Sequence, residues 1–543
     1  MKKQTKTNAL RIACVGICAA MLLTACGGGT TSSGATGESG SSSASNASTG
    51  TATAPTGGGD GVLDIGYSAA IDSLTPFRSN TGQNAPYMTQ LYESLAVYDS
   101  NAELQPWVAT DWTTSDNGFT YDVNIREGIK DSAGNAITAA DIVWFIEESK
   151  AQALKPVFGK VESVTQTGDY SFQVKMTQNI VGTFETLLKH TFVISKAAYE
   201  ASEDGFATSI VSTSPYKVTE FVASSTLTFE LRDDYWQDIS NLPECVRPAV
   251  DKLTYHIITE ASQQGIALET GTVDMVIDMN ASTGIQFVDN ENYNVELTDN
   301  VQGWQLFFSG AESRPVANDV KLRQAICYAI DPQGLITGFF SGYGSPMYDV
   351  CPSTAIGYND AWDSEEYYPY DPEKAMQLLE ESDYNGETLT LFATNTSQRM
   401  CEIIQSYLLA VGINCELNLV DMALYTASRL DGTKYDMTIN TISATYLADH
   451  WSVRYDPAAY STGDATSRRD ETLGNLLYTA WTPDGYTTEN IDAVHYYLKD
   501  NAIAYGMVNP KVFTIWRTDI GVENEVKELA GYIAPAASTY SGL

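Results

Sequence analysis

Leu322, Ala325, Ile326, Ala329 and Ile330 recur at i, i+3, i+4, i+7 and i+8, so residues 319–331 predict a helix with one apolar face. Asn318 or Asp319 can cap its start, and Pro332 ends it, because proline disfavours helical geometry in the residue before it. A second stripe, Met400, Ile403, Ile404, Tyr407, Leu408 and Val411, is stopped by Gly412. It lies between residues 389–393, read as a strand, and residues 413–420, where apolar and polar positions alternate. Strand, helix and strand within about 32 residues make a βαβ unit and predict parallel pairing inside an α/β lobe.

The same patterns run through the rest of the chain. Residues 63–68 read as a strand and residues 87–95 as a helix, while residues 109–118 lead into 119–126, whose period-2 alternation marks a strand. Thr138-Ala-Ala-Asp141 has capping-box spacing, and Ile142, Phe145 and Ile146 continue it as an apolar helical face. Residues 215–236 predict a β-hairpin closed by the aromatic pair Tyr235 and Trp236. Residues 250–258, 261–269 and 273–277 then read strand, helix, strand, with Gly271 ending the helix. Asp371 caps and Pro372 opens a further helix through Leu379. At 543 residues the chain exceeds one core, and roughly two to four domains are expected.

The N-terminus changes the picture. Lys2, Lys3, Lys6 and Arg11 precede an apolar run at 12–23 that is too short to span a bilayer, the order of an export signal. Leu23-Thr24-Ala25-Cys26 follows, and small residues before a cysteine resemble the bacterial lipobox. Residues 1–25 are therefore expected to be a lipoprotein signal peptide, with Cys26 lipidated and anchored to the membrane. From 27 to 61, eleven Gly and fifteen Ser or Thr fill 35 positions without one aromatic residue, so residues 26–61 read as a flexible tether that cannot bury a core. Beyond the signal no stretch of about 20 apolar residues offers a membrane span. The expected location is the extracytoplasmic face of a bacterial cell membrane.

The formal charge of −37 argues against nucleic acid as a partner and fits a solvated, repulsive surface. Of eight cysteines, Cys14 and Cys18 leave with the signal and Cys26 carries lipid, leaving Cys245, Cys327, Cys351, Cys401 and Cys415. No C-x-x-C occurs, which argues against thiol redox chemistry or a zinc knuckle. Cys327 and Cys401 lie within helical stripes and read as small apolar residues, while pairing among the five stays open.

The blocks in order resemble one family, the solute-binding lipoproteins of peptide- and nickel-type ABC transporters, solute-binding protein family 5. Ala109-Thr-Asp-Trp112 with Asp116-Asn-Gly-Phe-Thr-Tyr-Asp-Val-Asn-Ile-Arg126 is similar to the family's tryptophan, aspartate-glycine and strand signature. Ser214-Pro-Tyr-Lys217 with Asp234-Tyr-Trp236 resembles its glycine-proline-tyrosine and tyrosine-tryptophan hairpin, and Glu269-Thr-Gly-Thr-Val-Asp274 its glycine-glutamate-valine-aspartate step. The helix at 318–331 is close to the family's best-kept helix. The resemblance runs from about residue 63 to at least Pro457.

It implies an α/β, two-lobed periplasmic-binding-protein-like fold with an extra subdomain, a cleft between lobes joined by a hinge, and closure on ligand. By that analogy the first lobe takes 62–98, 212–310 and 504–543, the extra subdomain 99–211, and the second lobe 311–503. The cleft is then expected at the lobe crossing and the loop near 443–457, which offer Trp304, Tyr446, Asp449, His450, Trp451, Arg454 and Tyr455. Aromatic walls give contact area and a few polar groups fix orientation.

Peptide-binding members carry tryptophan, two residues, then an aspartate-tyrosine that holds the ligand's amino group. Here Trp451 is followed by Ser452, Val453 and Arg454-Tyr455-Asp456-Pro457, so arginine stands where the carboxylate is expected. A guanidinium favours a carboxylate or phosphate fork. The function implied is capture of a peptide or peptide-like solute and delivery to permease subunits of an ABC importer, by a monomer. The alternatives are an anionic non-peptide solute, a metal chelate of the nickel type, or a glycosidase-like enzyme. No Gly-x-Ser-x-Gly, His-Glu-x-x-His or phosphate-loop pattern occurs and only four histidines exist, so neither catalysis, a metal nor a cofactor is expected.

Overall fold

Asp319 caps the helix Val320–Ala329 by accepting from Leu322 N at 3.0 Å, and the helix buries Leu322, Ala325, Ile326 and Ala329. In this computed structural model, residues 61–77, 85–99, 103–299, 302–365, 367–457, 471–523 and 539–541 are described; the signal, Cys26 and the tether fall outside them. The helix packs against Pro372–Glu380, which Asp371 caps through Lys374 N. Arg323 points the other way, into the core, where its guanidinium donates to the carbonyls of Val316 at 2.7 Å, Asn501 at 2.8 Å and Ala502 at 3.1 Å.

The βαβ unit forms as its periodicity requires. Leu389–Thr394 and Cys415–Val420 pair in parallel, from Leu389 opposite Cys415 to Thr394 opposite Val420, with the helix Gln398–Ala410 between them. Met437–Ser443 pairs in parallel on the other side of Leu389–Thr394. Far away in sequence, Val62–Tyr67 lies between Lys252–Ile257 and Met275–Met279, parallel to both. The hairpin Tyr216–Val222 and Thr226–Leu231 extends this set antiparallel.

One strand joins the two sets. Ala504–Arg517 pairs near its start with Gln302–Phe308 and near its end with Met275–Met279 and Tyr293–Asp299. Gln302–Phe308 in turn pairs with Met437–Ser443, so a single 12-stranded sheet crosses between two large apolar cores. Leu63, Ile65, Tyr67, Leu253 and Met275 belong to the first core; Leu306, Leu322, Leu391, Ile404 and Trp451 belong to the second. A separate antiparallel sheet, Ala109–Ser115, Thr120–Ile125, Ser171–Met176 and Val161–Gly168, packs with the helix Ala139–Ala151, whose capping box at Thr138 and Asp141 is present.

Local differences from the sequence reading have physical causes. Residues 109–115 form a strand and not only a lead-in; its side chains are mostly exposed and polar, so no alternation betrayed it. It turns into Thr120–Ile125 through Asp116, Asn117 and Gly118 at φ 53°, 52° and 84°, the left-handed region that Asn, Asp and Gly tolerate. The helix expected at 87–95 is Ala85–Leu91, and the chain then enters the strand Ala96–Tyr98. The five cysteines among the described residues are all buried, and Cys327, Cys351, Cys401 and Cys415 form no disulfide.

Glu93 explains why Tyr235 and Trp236 close the hairpin. Its buried carboxylate accepts from Tyr235 Oη at 2.6 Å, Trp236 Nε1 at 2.9 Å and Trp107 Nε1 at 3.2 Å. Burial raises its pKa from 4.5 to about 6 against the lowering effect of those donors. Because the folded value is the higher one, the folded state takes up the proton first. Stability therefore gains about 2 kcal/mol as pH falls from about 6 to below 4.5. The difference between the wild-type and Glu93→Gln unfolding free energies across pH 4 to 7 isolates this contribution; a flat difference would show that Glu93 is not its source.

Candidate ligand cleft at the crossing strands

Period-2 alternation along Gln302–Phe308 sends Trp304 to one face and Gln305 and Phe307 to the other. Trp304 is partly buried and its ring packs edge-on to Phe339 at 6.0 Å and tilted against Phe340 at 6.2 Å. Gln305 lies opposite Gly506 of the long strand, is 0% exposed, and neither its amide oxygen nor its amide nitrogen finds a partner among the described residues. Gly506 has no room for a side chain, since a Cβ there would lie 2.0 Å from the carbonyl oxygen of Asp349.

The helix Leu447–Arg454 stands beside this crossing, with Tyr446 at its N-cap and Arg454 in its last turn. Its spacing divides the candidate residues. Trp451 and Tyr455 are fully buried in the second core and His450 nearly so. Burial, with the positive Arg454 nearby, holds the His450 imidazole down to about 3, so at neutral pH it is uncharged. His450 Nε2 and Trp451 Nε1 have no partner among the described residues. Arg454 is partly exposed and its guanidinium carbon lies 6.0 Å over the Phe307 ring. The strand's alternation thus puts Trp304 and the Phe307–Arg454 pair on opposite faces.

Tyr446 and Asp449 instead meet Tyr98 and residues between 160 and 183. Asp449 pairs with Lys160 Nζ at 2.9 Å and accepts from Thr183 Oγ1 at 3.0 Å; Lys160 also donates to Ser452 Oγ. The Tyr446 ring stands edge-on to Tyr98 at 6.3 Å and covers Gly182. Val181 N donates to the Trp481 carbonyl at 2.8 Å, and Ile180 is buried in the second core. Burial pushes the Glu185 carboxyl up, and Asp449 adds to that shift. Beyond it, burial and the positive charges of Lys155 and Lys189 hold His190 well below its usual range, while Lys189 lies 5.5 Å over the Tyr98 ring.

Sequence reading missed Lys160, Gly182 and Thr183, because no local periodicity marks a partner so distant in the chain. The glycine before Thr183 was the one available signal: it caps the helix Thr183–His190 at φ 85°. A groove lined by Ala133, Asn135, Asp204, Phe206 and Val211 shares no residue with the candidate set. Among the described residues no group of three or more His, Cys, Asp or Glu could hold a metal ion, and no helix is long and apolar enough to cross a membrane.

Two cores bridged by crossing strands, with parallel strands ending on the bridge, define a two-lobed α/β solute-binding fold. The chain belongs to the bacterial extracellular solute-binding proteins, family 5, whose model matches residues 103–462. It is a solute-binding protein of the ABC-transporter type. It is 28% identical over 380 residues to the glutathione-binding protein GsiB of Escherichia coli K12, covering 67% of this chain and 70% of that protein. The oligopeptide-binding protein AppA of Bacillus subtilis, solved with a nonapeptide, superposes with a TM-score of 0.71 at 17% identity, over 88% of this chain and 98% of that one. NikA of Brucella suis, solved with Fe(III)-EDTA, gives 0.74 at 19% identity, over 88% and 100%. At such identities the superpositions speak for the fold.

Proposed function

We propose that this protein captures a peptide or peptide-like solute between its two lobes and delivers it unchanged to an ABC importer, held at the membrane by a lipid on Cys26. The lobes are 62–98 with 212–310 and 504–543, and 311–503; the subdomain is 99–211. The observation that carries the reading is the meeting of Tyr446 and Asp449 with Tyr98, Lys160, Gly182 and Thr183 beside the crossing strands. There an aromatic wall and a few fixed polar groups face each other across segments far apart in sequence. Glutathione- and oligopeptide-binding relatives support the solute class.

In this reading Tyr446 and Arg454 reach the solute, Trp304 lies on the opposite face of the crossing strand from Arg454, and His450, Trp451 and Tyr455 shape the wall from inside the core. Asp449 already faces Lys160, so it offers little charge to a ligand amino group. Arg454 favours a carboxylate, which also suits an anionic solute or a metal chelate. Native mass spectrometry of protein from its own host is expected to show a carried peptide-sized solute. In calorimetry Arg454→Ala is expected to weaken peptide-pool binding about tenfold, the cost of one charge-assisted hydrogen bond. Unchanged affinity would remove Arg454 from the site, and a carried non-peptide anion would replace the solute class.

A further inference from the structure

Several buried carboxylates among the described residues have close donors. Glu93 has three donors. Asp349 takes His495 Nδ1 at 2.6 Å and Cys351 N at 2.8 Å, and Asp436 takes Thr390 N at 2.8 Å and Arg314 at 3.5 Å. Asp278 has a single long contact, Ser68 Oγ at 3.4 Å, and no Lys, Arg or His pairs with it among the described residues. Its residue keeps part of its surface open, yet desolvation raises its carboxyl from 3.8 to about 6. Protein atoms crowd the carboxylate while solvent still reaches the residue.

The backbone is equally unusual there. Asp278 sits at φ 59°, inside a bulge where Met275–Met279 slips against the long crossing strand. Val276 pairs with Ile515 and Met279 with Phe513, so Ile277 and Asp278 together oppose Thr514. The Thr514 hydroxyl is buried and has no partner among the described residues. A non-glycine residue held at positive φ is strained, and bulges beside binding sites commonly re-aim a side chain. Ser68 directly follows the strand Val62–Tyr67, and Asp278 comes one residue after the last parallel pair, Tyr67 with Ile277, so both lie toward the carboxyl ends of two adjacent parallel strands, the edge where open α/β sheets bind ligands; the crossing strand runs alongside.

We infer that Asp278 is the carboxylate that recognises a cationic group of the solute, a primary ammonium above all, from the first-lobe side of the cleft. The assignment rests on the solute-capture reading and deepens it by naming the ligand's charge. Among the described residues neither a cation nor a set of close neutral donors answers this carboxylate, and the solute supplies the partner from outside. The ammonium replaces lost hydration with a charge-assisted hydrogen bond, and Ser68 Oγ steadies the carboxylate.

The test uses the full chain and two variants. Asp278→Asn keeps the shape and tolerates positive φ, and Asp278→Gly removes both the charge and the backbone strain. Ligand-free melting is expected to be unchanged or higher in both, which separates lost charge from lost fold. Calorimetry then compares tripeptide pools lacking Lys and Arg, the same pools N-acetylated, and putrescine. At least tenfold weaker binding of the free pool by both variants, and of the acetylated pool by wild type, is the expected result. Free and acetylated pools bound alike, or a free-pool affinity that the variants leave intact, overturns the assignment while peptide capture stands. Putrescine bound through Asp278 with no peptide bound in either form supports the assignment and overturns peptide capture, and no binding of any probe overturns both.

Discussion

Arg323→Ala is expected to lose about 4 kcal/mol of stability, measured by denaturant unfolding, the scale of breaking a buried, fully hydrogen-bonded charge site. The guanidinium reaches the carbonyls of Val316 and Ala317 just before its own helix and those of Asn501 and Ala502 where Thr488–Asp500 ends. It therefore sews together three chain segments that enter the second core from different directions. Without it, several buried carbonyl oxygens lose their donor and the helix Val320–Ala329 loses its link to the start of the crossing strand. Arg323→Lys is expected to recover little, because an ammonium on a single-ended stem cannot span acceptors that the planar fork reaches at once. A loss below about 1 kcal/mol would show that other donors or water satisfy those carbonyls.

Gly182→Ala is expected to disrupt the contact between the segment around Gly182 and Tyr446 at the start of the helix Leu447–Arg454. The φ of 85° at this position costs any L-residue about 1–2 kcal/mol. A Cβ would lie 2.2 Å from Tyr446 Cγ and 2.6 Å from Tyr446 Cβ, so a rotamer change cannot relieve the clash. Tyr446 or its helix must move, and the Lys160–Asp449 pair and the Thr183 hydrogen bond move with it. The expected readout is a larger radius of gyration by small-angle scattering and at least tenfold weaker solute binding, since a displaced contact disfavours the closed population. Placing Tyr446→Gly in the same chain removes the clash, so the two substitutions should combine to less than the sum of their effects. Strict additivity would show that Tyr446 is not what Gly182 accommodates.

Much of the fold was legible in the sequence because helices and half-buried strands write their burial as a period. The stripe Leu322 to Ala329, the Thr138–Asp141 capping box and the βαβ unit around Gln398–Ala410 all form where the pattern placed them. The long strand Ala504–Arg517 was legible only as a boundary. It is buried along almost its whole length, so it carries no alternation, and its partners come from both ends of the sheet. The candidate residues near 446–455 were found as a cluster in sequence, and a helix then distributed them. Three to four residues per turn sent Trp451 and Tyr455 into the core while Asp449 and Arg454 stayed partly open.

By itself the sequence determined the net acidity, most of the order of strands and helices, and the family, all properties carried by contiguous residues or by their spacing. Only the tertiary structure decided which charges are already answered. Asp449 is matched by Lys160 from 289 residues away, whereas among the described residues Asp278 takes a hydrogen bond only from Ser68, 210 residues away. Local pattern cannot encode such a difference, because whether a carboxylate is neutralised inside the protein or left for a ligand depends on what segments distant in sequence bring within about 3 Å of it.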